Sequence, residues 1–173
     1  MKLRTIIATL AVTIAGAAGV LIPSPAQAAS YYQVVNNQWD GCLSVQGGST
    51  VHAAPVIVEH CDGDWHNLWA REEAEKVGTV QYYYLKVRHT GMCLNVAYWG
   101  QADGDDVVQA TCSNNTNEQW AFVDIKNSNY KRLVARHSEK CLDKAWSSAV
   151  VQWQCHGGDE WWQQWRLAYI TEG

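Results

Sequence analysis

The residues able to do chemistry fall into three groups. Six cysteines could bind a metal or cross-link the chain, and the chain also carries six histidines and seventeen acidic residues. No Cys-x-x-Cys and no zinc-type pairing of Cys with His occurs, so the sulfurs read as disulfides and not as ligands. Asp103-x-Asp105-Asp106 has the look of a calcium loop, but no bidentate Glu follows at the distance such a loop needs. Glu72-Glu73-x-Glu75 offers neighbouring carboxylates of the kind that hydrolyse glycosides. Directly after Trp69, that run reads as a solvated hairpin. Histidines and serines supply ingredients for a nucleophilic triad, yet no nucleophile-elbow motif holds them. The expectation is a protein with no catalytic residues, no metal and no cofactor.

The third group is aromatic. Ten Trp and eight Tyr stand against one Phe, Phe122. Trp and Tyr join an apolar ring to a polar edge, so this excess suits half-wet positions. Sugar-binding sites are one such position. The plainer use is a small β core that needs bulky side chains, and most of the Trp are assigned to it.

Such residues must be positioned by something, and the chain repeats itself three times. With Cys42, Cys93 and Cys141 in register, Leu follows each. The runs are Cys42-Leu43-Ser44-Val45, Cys93-Leu94-Asn95-Val96 and Cys141-Leu142-Asp143-Lys144. A Tyr lies eleven residues before each Cys (Tyr31, Tyr82, Tyr130), and an aliphatic eight before (Val34, Leu85, Leu133). An apolar run then closes on a second Cys at 61, 112 and 155, and a polar loop leads to Trp69, Trp120 and Trp165. Each unit reads as four short strands rich in Val and Tyr, separated by turn residues such as Gly47-Gly48-Ser49, Asp103-Gly104-Asp105 and Gly157-Gly158-Asp159. The repeats span about 31–76, 80–126 and 130–170. A four-strand unit cannot bury its own apolar face, so three must close on one another. The expected fold class is all-β, a β-trefoil of twelve short strands with Leu43, Leu94, Leu142 and the three Trp pointing inward. Six cysteines allow many pairings; the repeat register selects Cys42–Cys61, Cys93–Cys112 and Cys141–Cys155.

The ends add a compartment. Lys2 and Arg4, the apolar stretch Ile6 to Ile22 and Ala26-Gln27-Ala28 make a secretory signal peptide. Cleavage near Ala28 is expected to release a secreted, extracellular domain over 29–173, in an oxidising compartment where disulfides persist. Losing Lys2 and Arg4 moves the formal net charge from −4 to −6. A mildly acidic surface without a basic cluster argues against nucleic acid as a partner, and nothing after residue 28 suggests membrane insertion.

Cys-Leu-x-Val, an apolar strand ending in Cys and a closing Trp, three times over, resembles the ricin B-type (R-type) lectins and the β-trefoil carbohydrate-binding modules related to them. The resemblance implies one shallow sugar site per repeat. In that family an acid after Cys-Leu bonds adjacent hydroxyls, an aromatic two residues before the second Cys stacks on the ring, and Asn and Gln before the Trp add hydrogen bonds. A carboxylate suits vicinal hydroxyls, and an aromatic plane suits the C–H face of a pyranose. The third repeat carries the pattern furthest, with Asp143, Trp153 and Gln163; Trp162 replaces the Asn and stands either as a second stacking surface or as a block. The second repeat keeps Asn117, has Asn95 for the acid, and offers only Tyr98 or Trp99 for stacking. The first, with Ser44, Glu59, His66 and Asn67, is expected to be structural. The implied function is a non-catalytic lectin for galactose-like or xylose-like residues of a polysaccharide or glycoconjugate. The alternative is a sugar-silent trefoil that binds protein or inhibits an enzyme through an apolar patch around Trp146 and Trp161-Trp162.

Overall fold

The twelve expected strands form, in three sets of four, in a computed structural model that describes residues 30–158 and 160–170. The expected leader over 1–28 lies outside the described residues. The first repeat contributes β1 (Tyr31–Asn36), β2 (Cys42–Val45), β3 (Ala54–Glu59) and β4 (Trp69–Val77). The second contributes β5 (Val80–Val87), β6 (Cys93–Val96), β7 (Val107–Ala110) and β8 (Trp120–Asp124). The third contributes β9 (Lys131–Ala135), β10 (Cys141–Lys144), β11 (Val150–Trp153) and β12 (Trp165–Tyr169). No helix among the described residues is long and apolar enough to cross a membrane.

The first and last strand of each repeat build a closed antiparallel ring, in which β1 pairs β4, β4 pairs β5, β5 pairs β8, β8 pairs β9, β9 pairs β12, and β12 returns to β1. Closure removes the free sheet edges that invite aggregation. The middle strands form three hairpins, β2–β3, β6–β7 and β10–β11. The hairpins meet one another through β3–β7 and through bridges at Ile57–Ala149 and Asp106–Val151. This is a β-trefoil.

One contact repeats in each third of the core. The indole N–H of Trp69, Trp120 and Trp165 donates to the carbonyl of Leu43, Leu94 and Leu142, at 2.7, 2.9 and 2.9 Å. All six side chains are buried, as the repeat demanded, so the one polar atom of each Trp finds a partner inside the core. The three disulfides join Cys42–Cys61, Cys93–Cys112 and Cys141–Cys155, within repeats. The third spans 14 residues where the others span 19.

That shortening breaks the symmetry at one seam. Buried Gln109 of the second repeat donates to Ser49 O (2.7 Å) and Val51 O (2.9 Å) of the first. Gln152 of the third likewise grips Gly100 O (2.9 Å) and Ala102 O (3.1 Å) of the second. The matching residue of the first repeat is Val58, which has no such donor. Only its backbone N–H reaches the third repeat, at Ser148 O (2.7 Å).

The acidic runs serve the scaffold. Glu72 pairs with Lys86 and Glu75 with Arg136, each at 2.5 Å, on the exposed β4–β5 hairpin. Asp103 Oδ1 accepts from Lys140 (2.6 Å) and from Gln154 N–H (2.8 Å), and Asp105 accepts from Ala102 N–H (2.7 Å). The run is therefore a stitch between the second and third repeats.

Candidate functional site

The hairpin β10–β11 places the two residues that the third repeat was expected to use. Cys141 pairs with Trp153 and Asp143 with Val151. Side chains two apart on a strand share a face, so Asp143, Val151 and Trp153 project from one side of the hairpin. They border a cleft of about 450 Å³. Trp162 borders it too, on the short 3₁₀ turn Trp161–Gln163 that precedes β12.

Asp143 lies at the bottom, 6% exposed. Gln163 Nε2 donates to its Oδ2 at 2.8 Å and to Gln154 O at 3.0 Å, while Gln163 Oε1 accepts from His156 N–H at 3.0 Å. Gln163 is fully buried and is thus a brace that fixes the carboxylate, placed beneath the cleft and not on its wall. Burial pushes the Asp143 carboxyl above the usual carboxylate range. The Gln163 hydrogen bond and the charges of His156 and Lys144 pull the other way. Trp153 stays 40% exposed and Trp162 36% exposed. The edge of Trp153 lies over Gly104, where an added Cβ would sit 3.6 Å from its ring.

Half of the cleft comes from residues the sequence reading did not single out. Gln38 and Trp39 reach it from the β1–β2 turn of the first repeat, and Lys144, Ala145 and His156 from the third, beside Trp146, which the sequence had placed in an apolar patch. Lys144 stands where the other repeats place the core valines Val45 and Val96. Its ammonium donates to Ala145 O (3.1 Å) and Ser147 O (3.0 Å) and sits 3.4 Å from the centre of the Trp39 ring. It clamps the shortened loop to the first repeat, at a cost in desolvation that lowers its pKa. Asn37 Nδ2 donates to Gln164 Oε1 (2.8 Å) and Asn36 Nδ2 to Trp162 O (3.1 Å), tying the same turn to the segment that carries Trp162. The change from Cys-Leu-x-Val to Cys-Leu-x-Lys was the signal available in the sequence.

In the second repeat Asn95 and Asn117 are buried and bonded to each other at 3.2 Å, and Asn117 also donates to Val96 O (2.9 Å). Glu118 accepts from Ser113 N–H at 3.0 Å. The two amides are thereby engaged inside the protein, while Tyr98 is 96% and Trp99 48% exposed. In the first repeat Glu59 meets His66 at 3.0 Å and Ser44 is buried. Ligand atoms of Asp62, Asp64 and His66 come within 4.8 Å of one another there. Asp62 already accepts from Asp64 N–H (3.0 Å) and from Asn67.

Residues 21–104 and 73–153 match the model of the ricin-type β-trefoil lectin domain-like proteins. The chain belongs to this family. No curated protein matches the sequence. Among solved structures, the designed threefold-symmetric protein ThreeFoil is 35% identical, with a TM-score of 0.73 over 81% of this chain and 99% of its own. An exo-β-1,3-galactanase from Clostridium thermocellum is 27% identical, with a TM-score of 0.72; the match covers 86% of this chain and 31% of the enzyme. A lectin from Polyporus squamosus shares the fold at 18% identity and a TM-score of 0.65, over 82% of this chain and 49% of the lectin. In this chain the third repeat brings Asp143, Trp153 and Trp162 to one cleft, with Gln163 bonded to Asp143 beneath it.

Proposed function

We propose that the protein is a secreted, non-catalytic lectin whose principal site is the third-repeat cleft, with Asp143, Trp153 and Trp162 contacting the sugar and Gln163 holding Asp143 in place. The observation that carries the reading is the buried carboxylate. Asp143 gives one oxygen to Gln163 and keeps acceptor capacity at the floor of a cleft with exposed indoles on its walls. Vicinal hydroxyls satisfy such a carboxylate, and the C–H face of a pyranose covers Trp153.

Membership in a lectin-like domain family supports carbohydrate binding in general. The 27% identical neighbour is an exo-β-1,3-galactanase, which favours a galactose-like residue over a xylose-like one. Hydrolysis of a glycoside uses two flanking carboxylates. Asp143 is the single carboxylate among the described residues that line the cleft, which is the ground for proposing binding alone. Three disulfides suit export, as the leader over 1–28 suggests. Asn95, Tyr98, Trp99 and Asn117 form at most a weaker site, since the two Asn are committed to internal hydrogen bonds.

Tryptophan fluorescence under titration tests this reading, because Trp153 and Trp162 report on the site directly. Galactose, lactose, xylose and xylo-oligosaccharides are the probes. Saturable quenching or enhancement that disappears in a folded Trp153→Ala variant is expected. A mature protein silent to every saccharide on a glycan array, yet retaining a protein from culture medium through Trp146 and Trp161, would favour the sugar-silent alternative.

A further inference from the structure

The cleft is larger and more aromatic than one sugar ring requires. A hexose has about a dozen non-hydrogen atoms, each claiming less space than the roughly 30 Å³ of a water molecule. One ring seated on Asp143 and Trp153 leaves part of a 450 Å³ cleft empty. That remainder is bounded by Trp39 and Trp146. Trp146 is 97% exposed and Trp39 57% exposed. An indole left this open on a built wall gains most from a flat apolar partner.

Trp39 is also held in place, and so is the backbone that carries Trp146. Trp39 carries the Lys144 ammonium 3.4 Å from its ring centre. The same ammonium ties down Ala145 O and Ser147 O, on either side of Trp146. Trp39 and the loop backbone are therefore ordered before any ligand arrives, which lowers the entropic cost of binding there. The wall exists at the seam between the third and first repeats alone. The residues matching Trp39 in the other repeats are Thr90 and Ser138, which bond to Gln109 (2.9 Å) and Gln152 (2.7 Å).

We infer that Trp39 and Trp146 form a second subsite that takes the next residue of a neutral glycan chain, so that the protein recognises an oligosaccharide and not an isolated monosaccharide. The inference rests on the third-repeat cleft being the sugar site. Contact there is by ring stacking, because two of the three Lys144 N–H donors are spent on carbonyls and the ammonium lies against the Trp39 ring. The second residue is consequently read for its apolar face and not for its hydroxyl pattern.

The test compares chain lengths on the full mature protein. Galactose against β-1,3-galactobiose, and xylose against xylobiose and xylotriose, are titrated calorimetrically into wild type, Trp146→Ala and Trp39→Ala. Expected is a roughly tenfold tighter disaccharide, in line with one added aromatic stack. Trp146→Ala should abolish that gain and leave monosaccharide affinity unchanged. Its exposure means that its loss does not threaten the fold, which circular dichroism checks. Trp39→Ala should act the same way. Equal affinity for mono- and disaccharides, or a gain that survives both substitutions, overturns the second subsite and leaves the lectin reading standing. Absence of any saccharide binding in wild type overturns both.

Discussion

Replacing Asp143 by Asn separates what the carboxylate does for the ligand from what it does for the fold. The two side chains have the same shape, and the amide oxygen can still accept from Gln163 Nε2, now at 2.8 Å. What changes is the charge. A hydrogen bond to a charged group contributes about 1.5–3 kcal/mol, so losing one such bond to a sugar hydroxyl should weaken binding about 10- to 150-fold. Stability should move the other way. Burial pushes the Asp143 carboxyl up, so the folded protein holds that proton more tightly than the unfolded chain does. Asp143 therefore favours folding most at acid pH, and that contribution is lost as pH rises from the ordinary carboxylate range through the raised value. At neutral pH the fold carries the cost of a buried anion, which Asn removes. The variant should unfold at the same temperature or higher.

Sugar affinity in wild type should follow the opposite limb, rising with pH as Asp143 ionises above the usual carboxylate range. In Asp143→Asn it should be flat. Calorimetric titration from pH 4 to 8, beside thermal unfolding of both proteins, reads both quantities. Unchanged affinity in the variant, or a fall in Tm that parallels the fall in affinity, would refute the reasoning.

Three further outcomes follow from the scaffold. Trp120→Phe keeps a buried ring but strands the Leu94 carbonyl now bonded at 2.9 Å. Denaturant unfolding should show a loss of about 1–3 kcal/mol, and Trp69→Phe should behave alike. Replacing Cys93 and Cys112 by Ser should cost about 2–4 kcal/mol in the same assay, and peptide mapping of wild type should recover bridges within repeats only. Lys144→Val restores the valine found at that position in the sister repeats. It removes a desolvated ammonium but leaves the Asp143 carboxylate without its neighbouring cation and two loop carbonyls without their donor, so denaturant unfolding should show a net loss of stability. It should also free Trp39 and the loop over 145–149, abolishing the gain of disaccharide over monosaccharide.

The scaffold was legible because it is written three times. Cys-Leu, the apolar run to the second Cys and the closing Trp recur in register, and each demands the same thing of the chain. The Trp indoles accordingly meet the same leucine carbonyl in every repeat, and the disulfides close where the register put them. Asp143 and Trp153 could be paired from sequence for a similar reason. They lie on one two-stranded hairpin, whose alternation decides facing by counting.

Gln163 was harder, because its type and spacing do not reveal that its amide is spent on Asp143 beneath the cleft. The second-repeat asparagines looked equally available until packing turned them on each other. Trp39 was beyond reach of any local pattern. It lies more than a hundred residues from Asp143, and only closure of the first repeat onto the third brings it to Lys144. The amino-acid sequence alone determined the threefold core, its cross-links and the hairpin that carries the acid and the ring. Tertiary structure decided the depth of the cleft and its second wall, because a seam between the two ends of a chain exists only once the ring of strands has closed.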